Sequence, residues 1–216
     1  MPSCCHGDEY RTLFNSKGAK RASSRYRRRG LQGTQAEVAS VLRSVAPRGG
    51  SLLEIGGGIG QIPIALLEEG FIAKAINVEL SGEWEEAARD LVEERGVGER
   101  LDRLVGDFVD IASELPPADI VVMHRVVCCY PDWQAMISAA AALAGGVVAL
   151  TLPSNRWWTR LGIATGNLYL RARGMSFRGY LHPQDAILAL LRSLGFTPMH
   201  DRGGLNWRTT VVERSA

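Results

Sequence analysis

The segment Glu54-Ile55-Gly56-Gly57-Gly58-Ile59-Gly60 is the part of the sequence best suited to holding a ligand. A glycine-rich turn between a strand and a helix lets the backbone approach a bound group closely at the helix N-terminus. Two acids follow at informative distances. Glu79 lies twenty-five residues after Glu54, where a carboxylate at the end of the next strand accepts both hydroxyls of a ribose. Asp107, behind Gly106, closes a third strand and could meet an adenine amino group. In an open α/β sheet those strand ends line one crevice, so the three signals converge on a nucleoside. A dinucleotide is the competing ligand. Its Gly-x-Gly-x-x-Gly pattern needs a small third residue, and that place falls on Gln61 counted from Gly56, or on Pro63 counted from Gly58. Pro63 also removes a first-turn amide that a pyrophosphate would use.

The elements around this turn alternate. Thr34-Gln35-Ala36-Glu37 reads as a capping box opening a helix that stops at Pro47. Strands are expected at Ser51–Ile55, Ala73–Glu79, Leu101–Val105, Ala118–Met123 and Gly146–Leu152. Helices fall between them: one runs to Gly70, one is capped by Ser81, and an alanine-rich one spans Pro131 to Gly145. After a helix from Pro183 to Leu194 come two β-like runs, Phe196–Asp201 and Trp207–Glu213, at hairpin rather than crossover spacing. The expected fold is therefore α/β: a doubly wound, mostly parallel seven-stranded sheet with a C-terminal antiparallel hairpin. Residues 1–33 are set apart as a basic helical lid, and 154–181 as an insertion in a domain spanning 34–216.

Glu54-x-Gly56-x-Gly58-x-Gly60, Val78-Glu79-Leu80-Ser81 and Gly106-Asp107 resemble the motifs of class I (Rossmann-like) S-adenosylmethionine-dependent methyltransferases over about residues 34–153. The resemblance implies S-adenosylmethionine as cofactor, with S-adenosylhomocysteine as product. By it, Glu54, Gly56, Gly58 and Gly60 surround the methionine part, Glu79 and Leu80 the ribose, and Asp107 and Phe108 the adenine, with Val109 also flanking the ring. A narrower resemblance, to magnesium-protoporphyrin O-methyltransferases and relatives of unassigned substrate, is carried by His124-Arg125-Val126-Val127-Cys128-Cys129-Tyr130-Pro131, Phe177-Arg178-Gly179-Tyr180-Leu181-His182 and the basic N-terminal helix.

Methyl transfer is an in-line displacement in which the enzyme chiefly aligns the acceptor, excludes water and, for some acceptors, removes a proton. His124 follows the fourth strand at the mouth of the crevice, as a base, an orienting group or a wall of the cofactor site. Tyr130 and His182 are the other catalytic candidates; Tyr130 could equally cap the following helix, and His182 stands directly before Pro183. For the acceptor the candidates are Tyr26, Arg125, Trp157, Trp158, Arg160, Tyr169 and Arg178. Trp157, Leu161, Ala164 and Leu168 share one helical face and Arg160, Asn167 and Arg171 another. Such a helix could be an aromatic, cationic lid, pack on the sheet, or lie on a membrane surface.

The charge distribution sharpens the acceptor. Net charge is only +2, yet residues 8–33 carry eight Lys/Arg against Asp8 and Glu9, and residues 154–181 carry five arginines and no acid. Those stretches argue for an anionic partner. The expected acceptor is a small aromatic or hydrophobic molecule with a carboxylate or phosphate, methylated on oxygen; alternatives are an RNA methyltransferase or a cofactor-binding module without turnover. No metal site is expected, because Cys4, Cys5 and His6 lack a second ligand pair at zinc spacing. The paired cysteines, and the lack of any eighteen-residue apolar run, point to a reducing, cytoplasmic setting with peripheral membrane contact left open and no obligatory nucleic acid.

Overall fold

A computed structural model describes residues 8–215, and Cys4, Cys5 and His6 lie outside them. Three helices lead, α1 (Asp8–Leu13), α2 (Ser16–Arg29) and α3 (Thr34–Val45). Strands and helices then alternate: β1 (Gly50–Ile55), α4 (Gln61–Glu68), β2 (Ile72–Glu79), α5 (Glu85–Glu94), β3 (Leu101–Val105), α6 (Phe108–Ile111), β4 (Ala118–His124), α7 (Trp133–Leu143) and β5 (Ala144–Pro153). Helices α8 (Trp157–Ala172) and α9 (Gln184–Ser193) precede the hairpin β6 (Phe196–Gly203) and β7 (Trp207–Arg214).

The seven strands form one sheet in the order β3-β2-β1-β4-β5-β7-β6. β1 to β5 are parallel, and β7 runs antiparallel to both β5 and β6. Side-chain alternation along the strands feeds two apolar layers. Leu52, Ile120, Val122 and Val147 face α2, α3, α4 and α5. Leu53, Val121, Met123 and Val148 face α6, α7 and α9. Between β1 and β4 the connections leave in opposite directions, and the crevice at their C-terminal ends is the topological switch point.

Several local signals are overridden by distant partners. Helix α3 begins at Thr34, but its cap is Gly33, with no side-chain bond. The Thr34 hydroxyl instead meets His124 Nε2 at 2.9 Å, and the Glu37 carboxylate accepts from Thr209 Oγ1 at 3.1 Å. Ser81 does not cap with its side chain either; its hydroxyl donates to the Phe14 carbonyl at 2.8 Å. The alanine-rich helix starts at Trp133 rather than Pro131, because the Asp132 carboxylate accepts from Ala135 N at 3.0 Å. Gly145 belongs to β5, not to the end of that helix, and a Cβ at Gly146, in the strand as expected, would stand 3.1 Å from the Asp119 carbonyl of β4.

The basic N-terminal segment is also differently employed. Helix α2 is seated in the core layer through Ala19 and Tyr26. Two of its cations face acids of α5, with Lys20 3.7 Å from Glu86 and Arg27 2.5 Å from Glu94. Tyr26 is 4% exposed, donates its hydroxyl to Glu68 at 3.0 Å and carries the Arg95 guanidinium 5.5 Å over its ring. Burial, then the Glu68 charge, raises its pKa. Tyr26 is thus a packing residue of the α2 seat and stands away from the crevice. No helix among the described residues is long and apolar enough to cross a membrane.

Tyr26→Phe should cost about 1.5–3 kcal/mol, the net worth of one hydrogen bond to a charged group, and Tyr26→Ala roughly 3–5 kcal/mol through the cavity it leaves. Urea unfolding of the two variants checks the order; equal losses would mean that the hydroxyl, not the ring, dominates.

Candidate active site

The turn after β1 is built from glycines in left-handed conformation, with φ of 63° at Gly56 and 58° at Gly58. Close approach adds a second requirement. A Cβ at Gly56 would stand 2.3 Å from Val126 Cγ2, and one at Gly58 would stand 2.9 Å from the Trp84 ring. Glu79 holds the turn from the side, its two oxygens accepting from Gly58 N and Ser81 N at 2.9 Å each. Burial pushes its pKa upward, against those amide bonds and the Arg103 charge.

Beneath the turn lies a polar chain the sequence reading missed. Asn77 Nδ2 donates to Glu54 Oε2 at 2.7 Å, while Arg103 donates to Asn77 Oδ1 at 2.8 Å, to the Gly58 carbonyl at 2.9 Å and to Glu85 at 3.1 Å. Glu54 is 2% exposed and lines none of the cavities described below. Desolvation pushes its carboxyl up to about 8, opposed by the Asn77 bond and the Arg103 charge. It supports the turn from below rather than facing the crevice.

Three cavities share walls above the strand ends, and Cys129 lines all of them. The first is a narrow apolar slot of about 30 Å³ containing Gly56, Leu80, Asp107 and Phe108, with Tyr130 and Tyr10 on its walls. Asp107 caps α6 by accepting from Val109 N at 3.0 Å. The second, of about 200 Å³, brings together Gly56, Gly58, Glu79, His124 and Arg125 with Gln61 and Trp84. Gly60 is the left-handed cap of α4 just behind them. The third, of about 450 Å³, is enclosed by Trp158, Phe177, Tyr180, Trp207 and Phe14, and no charged residue lines it.

His124 is held neutral. Burial and the adjoining Arg125 charge depress its pKa to about 3, and its Nε2 is engaged by Thr34. Arg125 has φ 58°, the one left-handed non-glycine among the described residues. Its guanidinium lies 4.4 Å over the Trp207 ring and donates to Thr34 Oγ1 at 2.9 Å, and no acid pairs with it among the described residues. Tyr130 borders the slot, not the large chamber. His182 lines none of the three cavities; its ring stacks on Tyr180 at 5.3 Å and its Nε2 meets the Tyr130 carbonyl at 2.9 Å.

The acceptor candidates divide. Trp158 lines the large chamber, and Arg125 stands behind its Trp207 wall. Trp157 is 70% exposed and Tyr169 60% exposed, both outside it. Arg160 donates to Asn155 Oδ1, and Arg178 turns back onto the carbonyls of Met175 and Phe177. Tyr10, Phe14 and Trp207, which the sequence reading left out, supply cavity walls from the two ends of the chain. The spacing of Tyr10 and Phe14, one helical turn apart, was their only local signal.

Residues 25–201 match the profile of a methyltransferase domain family. The chain belongs to that family. Its fold is that of the class I S-adenosylmethionine-dependent methyltransferases, as three solved structures illustrate. Magnesium protoporphyrin IX methyltransferase from Synechocystis PCC 6803 with bound S-adenosylhomocysteine is similar at TM-score 0.69 and 22% identity, over 95% of this chain and 98% of that one. An O-methyltransferase family protein from Burkholderia thailandensis gives TM-score 0.72 at 19% identity, over 99% of this chain and 62% of that one. An O-methyltransferase family 2 protein from Planctomyces limnophilus, in complex with apigenin, gives 0.68 at 21% identity, over 91% and 61%. A search of curated protein sequences returns no match.

The buried Glu54 carboxyl makes a pH prediction. With a folded value of about 8 against an ordinary value near 4.3, the native state binds the proton more tightly than the unfolded chain. The stabilisation this gives is complete below the unfolded value and is lost as pH rises through about 8. Glu54→Gln removes the dependence. Its stability relative to the parent should therefore rise by up to about 4 kcal/mol between roughly pH 5 and pH 9. Thermal melts across that range would show it; parallel curves would mean that Glu54 is ionised in the fold.

Proposed function

We propose that this methyltransferase uses S-adenosylmethionine to methylate a small aromatic or hydrophobic acceptor on oxygen. The observation that carries the reading is the adjacency of the cavities: the one holding the Glu79-flanked glycine turn and His124 shares its Phe14 and Cys129 walls with an uncharged, aromatic-walled chamber. The residues suit the cofactor. Gly56, Gly57 and Gly58 bring bare backbone to the wall of the second cavity, where it meets the methionine part, with Gly60 turning the chain into α4 and Glu54 bracing the turn from beneath. Glu79 accepts the ribose hydroxyls beside Leu80, and Asp107 and Phe108 hold the adenine in the slot. When bound, S-adenosylmethionine supplies a methyl group activated on a sulfonium sulfur.

The chain's own groups align and desolvate the acceptor. Trp158, Phe177, Tyr180 and Trp207 hold a flat apolar body, and Arg125, which lines the neighbouring second cavity, meets a carboxylate or phosphate that reaches back past Cys129. An acceptor that is already ionised needs no base, and His124, neutral over the whole physiological range, orients rather than deprotonates. Tyr130 and His182 act at one remove, by fixing the loop after β4 against residues 180–182. The lid is α1 with the residue that follows it, Tyr10 and Phe14 walling the cavities; α2 stays seated in the core. The small-molecule reading is preferred to an RNA acceptor because the aromatic chamber is uncharged and two of the α2 cations, Lys20 and Arg27, are met by Glu86 and Glu94.

S-adenosylmethionine and S-adenosylhomocysteine should each raise the melting temperature, and NADH should not. Glu79→Ala should weaken cofactor binding by roughly 1–3 kcal/mol, the scale for unpairing hydrogen bonds to a charged group. Stabilisation by NADH alone would overturn the cofactor assignment. For the acceptor, Trp158→Ala should raise KM with cofactor affinity unchanged, whereas Arg160→Ala and Arg178→Ala should leave KM within about twofold. A screen in which neutral polar amines turn over and aromatic acids do not would defeat the acceptor class.

A further inference from the structure

Helix α8 is amphipathic in the opposite sense to an ordinary surface helix. None of its sixteen residues is buried. The face toward the protein is formed by Trp158, Thr159, Ile163, Asn167 and Leu170, each partly covered, and Asn167 pins it by two 2.8 Å bonds to the Gly179 backbone. The apolar stripe Trp157, Leu161, Ala164 and Leu168 points the other way, into solvent. Trp157 is 70% exposed, Leu161 55% and Leu168 67%, and Leu205 of the β6–β7 turn adds a side chain 68% exposed beside the helix start. The Leu205 carbonyl is tied there by Ser154 Oγ and Trp158 Nε1, so stripe and turn form one surface.

The charge around this surface has one sign. Arg160 and Arg171 lie eleven residues apart on the row beside the stripe, with Arg156 and Arg173 at its two ends, and residues 154–181 hold no acid. Among the described residues none of the four makes an ion pair. Arg156 and Arg173 rest instead on the rings of Trp158 and Tyr169. A second copy of the chain would bring the same arginines against these, since a twofold contact pairs a surface with itself. An apolar stripe with tryptophan and tyrosine, rimmed by arginine alone, matches the boundary between acyl chains and anionic headgroups.

We infer that α8 and the β6–β7 turn dock on an anionic lipid surface, so that the acceptor reaches the chamber from the membrane. The inward residues Trp158, Gly162 and Ile163 wall that chamber, while the stripe on the same helix enters the headgroup layer. A lipophilic acceptor then travels the thickness of one helix without crossing water. The route depends on reading the chamber as the acceptor site; the docking does not.

Sedimentation of the full-length protein with vesicles tests the docking without cofactor or acceptor. Vesicles of phosphatidylcholine mixed with phosphatidylglycerol should carry the protein down, vesicles of phosphatidylcholine alone should not, and added salt should release it. Arg160→Gln with Arg171→Gln should lower the partition coefficient roughly tenfold or more. Trp157→Ser, Leu161→Ser and Leu168→Ser together should abolish binding with an unchanged melting temperature, because these side chains are exposed. Equal binding by parent and triple variant, or none by the parent, overturns the proposal. So does a parent dimer in light scattering that the triple variant converts to monomer, which would assign the stripe to a protein contact. Vesicle binding combined with failure to methylate any lipophilic acceptor would defeat only the reading of the chamber.

Discussion

Glu54, Asn77 and Arg103 come from three adjacent strands, β1, β2 and β3, and are joined beneath the glycine turn by bonds of 2.7 and 2.8 Å. Asn77 is fully buried and the Arg103 side chain is 6% exposed. A buried chain of this kind is stabilising only when every member is satisfied, and removal of one leaves another stranded in a medium that cannot solvate it. Arg103 closes it by reaching the Gly58 carbonyl, so the left-handed turn above inherits its position from three strands at once. With Glu79 clamping Gly58 N, both polar groups of the Gly58 backbone are fixed from below. The turn can therefore present an open, rigid surface to the crevice without contributing any side chain to it.

The mostly parallel sheet, its C-terminal hairpin and the kind of cofactor were legible because they rest on local features. A glycine run between a buried strand and a helix, acids at the next two strand ends, and a hairpin-length gap before the last strand are each contained in a few residues. The Arg103 clamp was not legible. Arg103 sits mid-strand between Asp102 and Leu104, where a cation reads as a solvated edge residue, and only the pairing of β3 with β2 brings it over Asn77. Thr34 and Ser81 show the same limit from the other side. Both occupy positions where a hydroxyl ordinarily caps a helix, yet both bond to groups tens of residues away, His124 and the Phe14 carbonyl, which only the tertiary fold brings alongside.

Charge and periodicity were ambiguous in a more specific way. The basic run of α2 suggested an anionic ligand, but two of its cations, Lys20 and Arg27, are met by acids of α5, sixty-seven residues later for Arg27 and Glu94. Arginines of 154–181, by contrast, stay without acids in the fold. The same sequence signal thus had two outcomes, decided by whether an acidic helix was packed alongside. For α8 the spacing correctly groups Trp157, Leu161, Ala164 and Leu168, but periodicity defines a face without saying which way it points. The covered face proved to be the more mixed one, because Asn167 can hydrogen-bond the Gly179 backbone and the apolar stripe cannot.

Arg125 shows how the two halves of the site are brought into register. A left-handed backbone at a non-glycine residue costs of order 1–2 kcal/mol, so the surroundings must enforce it. Here β5 fixes the Arg125 amide through the Thr151 carbonyl at 3.2 Å, β7 supplies the Trp207 face, and α3 supplies the Thr34 hydroxyl. That hydroxyl is shared with His124, so the first two residues after the buried part of β4 are held by a single oxygen. The sharp turn at Arg125 sends the chain back over Gly56 through Val126 and puts Cys129 where all three cavities meet. A relaxed extended residue at 125 would carry Val126 off the glycine turn and leave its wall open. The strain at one residue, held by elements from both ends of the chain, is what closes the cofactor side of the crevice while leaving its far side free to open into the chamber.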